Sequence, residues 1–326
     1  MFFYLFLFIF FLALNLLYFW IARKYNIVDR PNERSSHKNT PIRGSGVIFW
    51  VAGICYALIY YPAGLYFSVA LTLLCAVSFL DDLVSVKNKI RIVFHLLAIL
   101  ILFCETAVYS SQLVPEWAIP LILIVATGIL NAFNFMDGIN GMTGLHNLLL
   151  MLFLQYINLN FVPFTNLEFI WFAIIPCVIF LFFNYRKQAI CFLGDTGSMA
   201  IALWILCFLI QLMITTQSFV WIFFLSVYGV DVVGTIIYRI YLKKNIFKAH
   251  RMFFFQILSN ELKIPQRFVS ALYAVVNISV CTIITYTYFF ESPVTAWAVG
   301  IISLIVLIAI FSLRFSHKIK VHLLEK

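Results

Sequence analysis

Five of the six aspartates lie where long apolar runs of the sequence end. They are Asp81 and Asp82 in SFLDDL, Asp137 in NFMDGINGM, Asp195 in FLGDTGS and Asp231 in VYGVDVVG. A carboxylate at a membrane edge is costly unless it binds a cation or takes part in chemistry. The placement of these side chains therefore indicates a site for a cation, for acid–base chemistry, or for both.

The adjacent acids of SFLDDL cannot lie on the same face of a helix, because neighbouring residues are about 100° apart around the axis. One carboxylate can face a cavity while the other caps a helix or holds a metal. Crowded negative charge raises the pKa of at least one partner unless a cation is present. A solvated pair at a helix end, without any function, is the alternative interpretation.

The segment NAFNFMDGINGMTG has three polar residues, Asn131, Asn134 and Asp137, spaced so that they share roughly one helix face. Inside lipid such side chains need hydrogen-bond partners. Nucleotide or sugar hydroxyl groups would be suitable partners, and hydrogen bonds between helices are the alternative. Gly138 and Gly141 then open the backbone before the next apolar run begins.

The segment FLGDTGSMA places a glycine-rich turn directly before an apolar run. Glycine-rich backbone at a helix amino terminus is suited to bind an anion. Asp195 in the same turn could hold Mg²⁺, which prefers carboxylate and phosphate oxygens. A simple capping turn is the alternative, because Asp, Thr and Ser are all good N-caps.

The segment KAHRMFFFQIL supplies His250 and Arg251, which could bind phosphate, the arginine as a fork and the histidine as a donor. A solvated surface pair is the alternative. Arg91 and His95, four residues apart, could support the SFLDDL acids, although a histidine packed between helices is the favoured interpretation of His95.

The elements that must position these residues are predicted to be transmembrane helices. The chain is 64% hydrophobic and 11% charged, and apolar runs near 20 residues recur along it. The first run has no basic n-region and no small-residue cleavage site, which indicates a retained helix. The prediction is an all-α, multi-pass bundle with about eleven spans, at residues 2–22, 45–62, 64–80, 91–109, 117–134, 142–160, 168–184, 198–214, 217–238, 268–290 and 294–313.

The charge distribution supports this count. If the spans alternate in direction, all 22 lysines and arginines fall on one side, and the other side receives four glutamates and no basic residue. The positive-inside rule makes the basic side cytoplasmic, with the amino terminus outside and the carboxyl terminus inside. The basic balance then reflects topology and anionic lipid, and it gives no reason to propose nucleic acid as a partner. The seven cysteines form no CxxC pair and are interpreted as packing residues.

Taken together, these motifs resemble those of the polyprenyl-phosphate N-acetylhexosamine-1-phosphate transferases, a group within glycosyltransferase family 4 that includes phospho-MurNAc-pentapeptide translocase. DDL, NxxNxxDGxxG, FLGDTGS and the late His-Arg occur in the same order over roughly residues 29–256. The loop PNERSSHKNTPIRGSG is most similar to the branch that begins O-antigen or capsule units. The chain departs from the family pattern at Phe253, where a second histidine is common, and at Asn140, where the peptidoglycan enzymes have Asp.

The resemblance implies one integral-membrane transferase domain over residues 1–326, with catalytic cytoplasmic loops near 23–44, 81–90, 135–141, 185–197 and 239–267. It implies Mg²⁺, with Mn²⁺ as a substitute, as the cofactor. The implied site residues are Asp81, Asp82, Asp137 and Asp195 in catalysis, Asp195 and Asp82 at the metal, Asn131, Asn134, Asn140, Phe192 and Gly194 at the nucleotide sugar, and His250 and Arg251 at phosphate.

The activity implied by the resemblance is transfer of a sugar 1-phosphate from a UDP-N-acetylhexosamine to undecaprenyl phosphate at the bacterial cytoplasmic membrane, with release of UMP. A homodimer is compatible with it. Two other classes remain open: an ion-coupled secondary transporter, which would also place acids among its helices, and a non-catalytic membrane scaffold, which would need none of these motifs. The sequence does not distinguish the possible UDP-sugars.

Overall fold

The structure, a computed structural model, describes residues 2–29, 40–84, 86–108, 111–245 and 251–315. Over these ranges the chain is helical, with isolated β-bridges instead of strands. A 3₁₀ turn, Phe219–Leu225, leads directly into α9. The α-helices are α1 Phe2–Lys24, α2 Val47–Ile59, α3 Leu65–Leu83, α4 Asn88–Glu105, α5 Ile119–Met136, α6 Met142–Asn160, α7 Leu167–Asn184, α8 Gly194–Thr216, α9 Ser226–Tyr241, α10 Phe254–Gln256, α11 Gln266–Phe290 and α12 Pro293–Ser312.

Each predicted span corresponds to a helix, so the all-α, multi-pass prediction is confirmed. In the part of the chain that the structure describes, nine helical segments are long and apolar enough to cross a membrane. The other two predicted spans are α2, which has 13 residues, and α4, which carries Lys89, Arg91 and Glu105. The count of eleven spans and the orientation in the membrane therefore remain predictions.

The centre of the bundle is α8, most of whose residues are buried. The Trp204 ring of α8 lies 4.4 Å from that of Phe67 in α3 and 4.7 Å from that of Phe169 in α7, measured between ring centroids. At its amino-terminal end α8 meets the start of α2 backbone to backbone. A Cβ added to Gly46 would lie 2.0 Å from the Cα of Gly197. Glycine at both positions therefore lets the loop before α2 lie directly against the start of α8.

The helix ends that carry the sequence motifs meet on one face of the bundle. The carboxyl ends of α3 and α5 lie there with the amino ends of α6 and α8. Ile42 connects two loops on this face, since it forms one bridge with Val28 and another with Cys191. The N–H of Phe192 also donates to the carbonyl of Ile42 at 2.8 Å. These contacts join the first predicted cytoplasmic loop to FLGDTGS, as alternating spans require.

Candidate functional site

A cavity of about 240 Å³ opens on the face where the motifs meet. Its walls come from the first loop, the α5–α6 connection, the FLGDTGS turn and the segment that leads into α11. The lining residues are Asp29, Arg43, Asn134, Asp137, Gly138, Ile139, Asn140, Asn184, Phe192, Gly194, Asp195, Ser198, Gln256 and Gln266.

Asp82, at the end of α3, caps the amino terminus of α8 from another helix. Its Oδ1 accepts from the backbone N–H of Asp195 at 3.0 Å, and its Oδ2 accepts from the N–H and the hydroxyl of Thr196 at 3.1 and 2.9 Å. The side chain is 1% exposed. The first N–H groups of a helix have no partner within it, and a carboxylate there also interacts favourably with the helix dipole. Asp82 therefore fixes the turn that presents Asp195.

Gly194 is required by this arrangement. Its φ is +71°, a conformation that costs little only for glycine. A Cβ at this position would lie 2.7 Å from Oδ2 of Asp82 and 3.1 Å from the backbone nitrogen of Gly44. The glycine before Asp195 thus allows the carboxylate of Asp82 to reach the helix amino terminus.

Two arginines neutralise part of the acidic charge at this edge of the cavity. Arg43 Nε lies 2.8 Å from Oδ1 of Asp82, and its Nη2 lies 3.9 Å from Oδ1 of Asp195. Arg91 bridges Asp81, at 2.6 Å from Nη1 to Oδ2, and Asp195, at 3.3 Å from Nη2 to Oδ2. The Asp195 side chain remains 23% exposed toward the cavity. Three carboxylates and two guanidinium groups leave a net negative charge beside the cavity.

Asp81 differs from Asp195 because it lies outside the cavity lining. Its Oδ1 accepts from the backbone N–H of Val86 at 2.7 Å, and its Oδ2 pairs with Arg91. The carboxylate therefore orders the α3–α4 connection and orients a guanidinium group that reaches Asp195.

The two asparagines of α5 separate in the structure. The Nδ2 of Asn134 donates to the hydroxyl of Ser198 at 3.3 Å, and that hydroxyl donates to the carbonyl of Asp195 at 3.2 Å. Asn131 instead donates to the carbonyl of Thr127 within its own helix at 2.8 Å, and it does not line the cavity. Asn134 is thus connected through Ser198 to the backbone of Asp195, the predicted metal ligand, whereas Asn131 lies about one helical turn away.

Asp137 follows α5 directly and contributes a half-buried carboxylate to the cavity. Burial raises the pKa of Asp137 to about 7, and the nearby charges of Asp195 and Asp82 also raise it. A bound cation or a hydrogen-bond donor would favour the ionised form.

The opposite wall of the cavity is built from carboxamides. Asn184 uses both ends of its amide, accepting from the N–H of Gly141 at 2.7 Å and donating to the carbonyl of Cys191 at 2.8 Å. Asn140 donates to the carbonyl of Arg186 at 2.9 Å, and its own N–H donates to Oε1 of Gln266 at 3.2 Å. Phe192 adds an aromatic ring to the lining. The wall is polar without being charged, which suits hydroxyl and amide groups of a ligand.

The late basic motif is only partly described. His250 lies outside the described residues, and Arg251 is half-buried and does not line the cavity. Phe253, which departs from the family pattern, is buried and stacks on Phe135 and Phe255, with ring centroids 6.0 and 5.8 Å apart. At this position the chain therefore uses an aromatic packing contact in place of a titratable ring.

Several lining residues were not predicted from the sequence, and only some of them lie in segments whose sequence could have indicated a site. Asp29, the sixth aspartate, lies just before the PNERSS segment, and from the sequence it is interpreted as a residue of a basic loop. Arg43 had a usable signal in the RGSG exit of the first loop. Gln256, Gln266 and Asn184 had none, because they reach the cavity only through contacts between distant segments.

The residues present fit a Mg²⁺ ion that has few protein ligands and takes its other ligands from the substrate and water. Among the described residues no three His, Cys, Asp or Glu side chains cluster as a dedicated metal cage. The cavity instead presents the carboxylates of Asp195 and Asp137 on shared walls, and Mg²⁺ is typically held by one or two carboxylates, water and phosphate oxygens. Asp82 already accepts hydrogen bonds on both oxygens. Direct ligation by Asp82, as predicted from the sequence, would require Arg43 or Thr196 to move.

Comparison with known proteins agrees with the motifs. The sequence profile of "Glycosyl transferase family 4" matches residues 64–213. The chain is 27% identical over 218 residues to a phospho-N-acetylmuramoyl-pentapeptide-transferase of Petrotoga mobilis, covering 56% of this chain and 65% of the relative. It is 28% identical over 219 residues to the undecaprenyl-phosphate alpha-N-acetylglucosaminyl 1-phosphate transferase of Escherichia coli K12, covering 61% and 58%.

A third relative is the probable undecaprenyl-phosphate N-acetylglucosaminyl 1-phosphate transferase of Bacillus subtilis, 28% identical over 195 residues, with 55% of this chain and 53% of the relative covered. The matches to these three curated relatives thus span between about half and two thirds of their length. The region matched by the family profile, residues 64–213, contains SFLDDL, NFMDGINGM and FLGDTGS.

Proposed function

We propose that this chain is a membrane phosphoglycosyl transferase of glycosyl transferase family 4, the family whose profile matches residues 64–213. In this proposal the donor is a UDP-N-acetylhexosamine and the acceptor is undecaprenyl phosphate. The products are a lipid-linked sugar diphosphate and UMP.

In the proposed reaction, an oxygen of the lipid phosphate attacks the β-phosphorus of the nucleotide sugar. A new phosphorus–oxygen bond forms, and the bond between the β-phosphorus and the bridging oxygen breaks. That oxygen leaves with UMP, and the sugar C1–O bond stays intact. Because the second pKa of such a phosphate is near 6, a strong base is not essential, and positioning with charge neutralisation supplies most of the catalysis.

The single observation that carries the proposal is the position of Asp195. It stands at the amino terminus of α8, exposed to a polar cavity, and two arginines reach its carboxylate. A diphosphate can be bound by helix N–H groups, by guanidinium groups and by a cation held on a carboxylate, and all of these groups or their ligands are present here. Asp81 contributes in this scheme by orienting Arg91, which it pairs with at 2.6 Å.

We further propose that Mg²⁺, or Mn²⁺ in its place, binds at Asp195 with Asp137 on the neighbouring wall. Such an ion would neutralise the diphosphate charge and stabilise UMP as a leaving group. Asn134, held between α5 and α8 through Ser198, keeps the two carboxylate-bearing segments together. The carboxamide wall with Phe192 is the proposed contact for the uracil and the sugar.

The proposed location is the bacterial cytoplasmic membrane, with the cavity on the cytoplasmic side. The supporting argument is the positive-inside distribution of the lysines and arginines together with the cavity at those helix ends. Nucleotide sugars are on that side, and the acceptor phosphate lies at the same level of the bilayer. By resemblance, the pathway is the start of an O-antigen, capsule or similar cell-surface polysaccharide, and a homodimer is a further expectation.

The rival classes are less well supported. A secondary transporter places its site near the middle of the bilayer, commonly at broken helices. Here the carboxylates of the cavity gather at the helix ends, and a scaffold would have no need for the hydrogen-bonded turn around Asp195.

The experiment is a reconstitution of the purified full chain with undecaprenyl phosphate, Mg²⁺ and each of several UDP-N-acetylhexosamines, measuring UMP and lipid-linked product. We expect equal amounts of UMP and lipid product with at least one donor, and neither product after chelation of the metal. If no UDP-N-acetylhexosamine yields either product, the proposal is wrong.

A further inference from the structure

A second cluster of hydrogen-bonded groups, centred on one carboxylate, lies inside the bundle, away from the cavity lining. Asp231 of α9 is 0% exposed and accepts from five donors, one of which is the hydroxyl of Thr235 at 3.4 Å. Its Oδ1 accepts from the N–H of Phe254 at 2.8 Å and from Nη1 of Arg314 at 3.2 Å. Its Oδ2 accepts from the hydroxyl of Tyr273 at 2.8 Å and from the N–H of Phe255 at 3.3 Å. The side chain of Asp231 thus holds α10, α11 and the segment after α12 together.

The pairing makes this buried charge tolerable. A buried carboxylate without partners is strongly destabilising, whereas a paired and fully hydrogen-bonded one is not. Arg314 is itself buried, and it also donates to the hydroxyl of Thr235 at 2.6 Å and, through Nε, to the carbonyl of Phe311 at 3.0 Å. The cluster therefore has one fixed geometry, in which the backbone of α10 cannot shift without breaking two hydrogen bonds.

The opposite face of α10 forms part of the cavity. A Cβ added to Gly138 would lie 2.8 Å from Cζ of Phe255 and 3.5 Å from Nε2 of Gln256. The Phe255 ring therefore packs directly beneath the backbone that follows Asp137, and Gln256 itself lines the cavity. Since Phe254 and Phe255 donate to Asp231, the positions of the Gly138 backbone and of Gln256 both depend on that carboxylate.

We propose that Asp231 is a positioning residue of the nucleotide-sugar cavity, which acts by fixing α10 so that Phe255 supports Gly138 and Gln256 faces the ligand. The proposal rests on the proposed function, because it assumes that a UDP-sugar occupies the cavity. It assigns a role to an acid that touches neither substrate nor cation.

The test uses the full chain in detergent, with UDP as the binding probe and steady-state kinetics alongside. Asp231→Asn keeps the shape of the side chain, but its one acceptor oxygen can no longer accept from both Phe254 and Phe255. We expect UDP affinity to fall about 10- to 100-fold and the loss of kcat/KM to lie mainly in KM, since misplacement of about 1 Å can cost 10²-fold. Tyr273→Phe removes one donor and leaves the two backbone N–H bonds, so a loss of about threefold is expected.

The double variant Asp231→Asn with Arg314→Gln distinguishes positioning of the cavity from a general contribution to stability. Removing both charges relieves the unpaired arginine, so the melting temperature should recover relative to Asp231→Asn alone. Our inference predicts that UDP affinity stays low in the double variant, because one of the two acceptor oxygens for α10 is still missing. Recovery of UDP affinity together with the melting temperature would overturn it.

If Asp231→Asn does not accumulate, Phe255→Leu tests the same contact while leaving the Asp231 cluster intact. A UDP affinity about tenfold lower supports the inference, and an unchanged affinity contradicts it. The two proposals fail differently: wild-type protein that neither binds UDP nor releases UMP contradicts the proposed function. Wild-type activity with unaltered UDP affinity in the variants contradicts only the role of Asp231.

Discussion

Asp82 and Asp231 are two buried carboxylates with nearly the same set of partners. Each accepts from two consecutive backbone N–H groups and one arginine, and Asp82 accepts from one hydroxyl where Asp231 accepts from two. Asp82 holds the start of α8, and Asp231 holds α10. In both places a carboxylate from one helix fixes the backbone of another segment that the cavity depends on.

The two regions differ in the charges around them. Asp231 pairs with Arg314, whose side chain is 4% exposed, so that ion pair is balanced and closed. Asp82 pairs with Arg43, whose side chain is 35% exposed, and Asp81 and Asp195 add two further negative charges against Arg91. Excess negative charge beside an open cavity is stabilised by a cation. We therefore propose that both carboxylates act as anchors and that ligand chemistry belongs to the region that contains Asp195.

The largest expected effect is that of Asp195→Asn. Loss of the carboxylate removes the proposed cation ligand and leaves the Asp82 cap of α8 in place. We expect kcat to fall about 10³-fold while the melting temperature stays close to that of the wild type. UMP release and thermal unfolding in the same detergent measure the two quantities. A variant with near-wild-type turnover in Mg²⁺ would remove Asp195 from the chemistry.

Asp82→Asn should lower both activity and stability. The amide cannot accept from all four donors and leaves Arg43 with only the longer ion pair to Asp195, and a buried donor left unpaired costs about 1–3 kcal/mol. We expect a melting temperature lower by at least about 5 °C and turnover reduced about 100-fold. If stability were unchanged while activity disappeared, Asp82 would be a direct participant in the reaction and not an anchor.

Asn134→Ala and Asn131→Ala form a matched pair on α5. Asn134 joins α5 to Ser198 and lines the cavity, whereas Asn131 bonds within its helix. Loss of one such hydrogen bond is worth about 1 kcal/mol, so we expect kcat/KM about 5- to 10-fold lower for Asn134→Ala and nearly unchanged for Asn131→Ala. Equal losses in both variants would show that the α5 asparagines act as one stripe.

The smallest effect concerns Asp137 and pH. The folded-state pKa of about 7 lies above the ordinary value of 3.8, so between these pH values the folded chain binds a proton that the unfolded chain releases. Stability from this group is therefore present at low pH and is lost as the pH rises through about 7. In the presence of a chelator, we measure the melting temperature of Asp137→Asn minus that of the wild type. This difference should rise by about 3 °C between pH 5 and pH 8. A constant difference would mean that Asp137 is ionised throughout.

Much of the fold was predictable because a lipid environment demands long apolar helices, and these are visible in the sequence. All eleven predicted spans correspond to helices. The boundaries were less accurate: the span predicted at 45–62 is a helix only over Val47–Ile59, and the one predicted at 217–238 begins with the 3₁₀ turn Phe219–Leu225. An apolar run reports burial in lipid or protein, but it does not report where the hydrogen-bond pattern changes.

The candidate site was predictable where polar residues interrupt apolar runs. Asp195, Asp137 and Asn134 were found in this way, and they do line one cavity. Gln256 and Gln266 were not found, because neither belongs to a recognised motif and both reach the cavity only through contacts between distant segments. The anchoring role of Asp231 was equally invisible, since it depends on donors from Phe254 to Arg314 that only the folded chain brings together.

The most direct test of the central claim follows the two phosphorus atoms of the nucleotide sugar. Purified protein is incubated with undecaprenyl phosphate, Mg²⁺ and an accepted UDP-N-acetylhexosamine labelled with ³²P at either the α or the β position. Attack at the β-phosphorus predicts that the β label enters the lipid fraction and that the α label leaves as UMP. Appearance of the β label in UDP, with only the sugar on the lipid, would contradict the account.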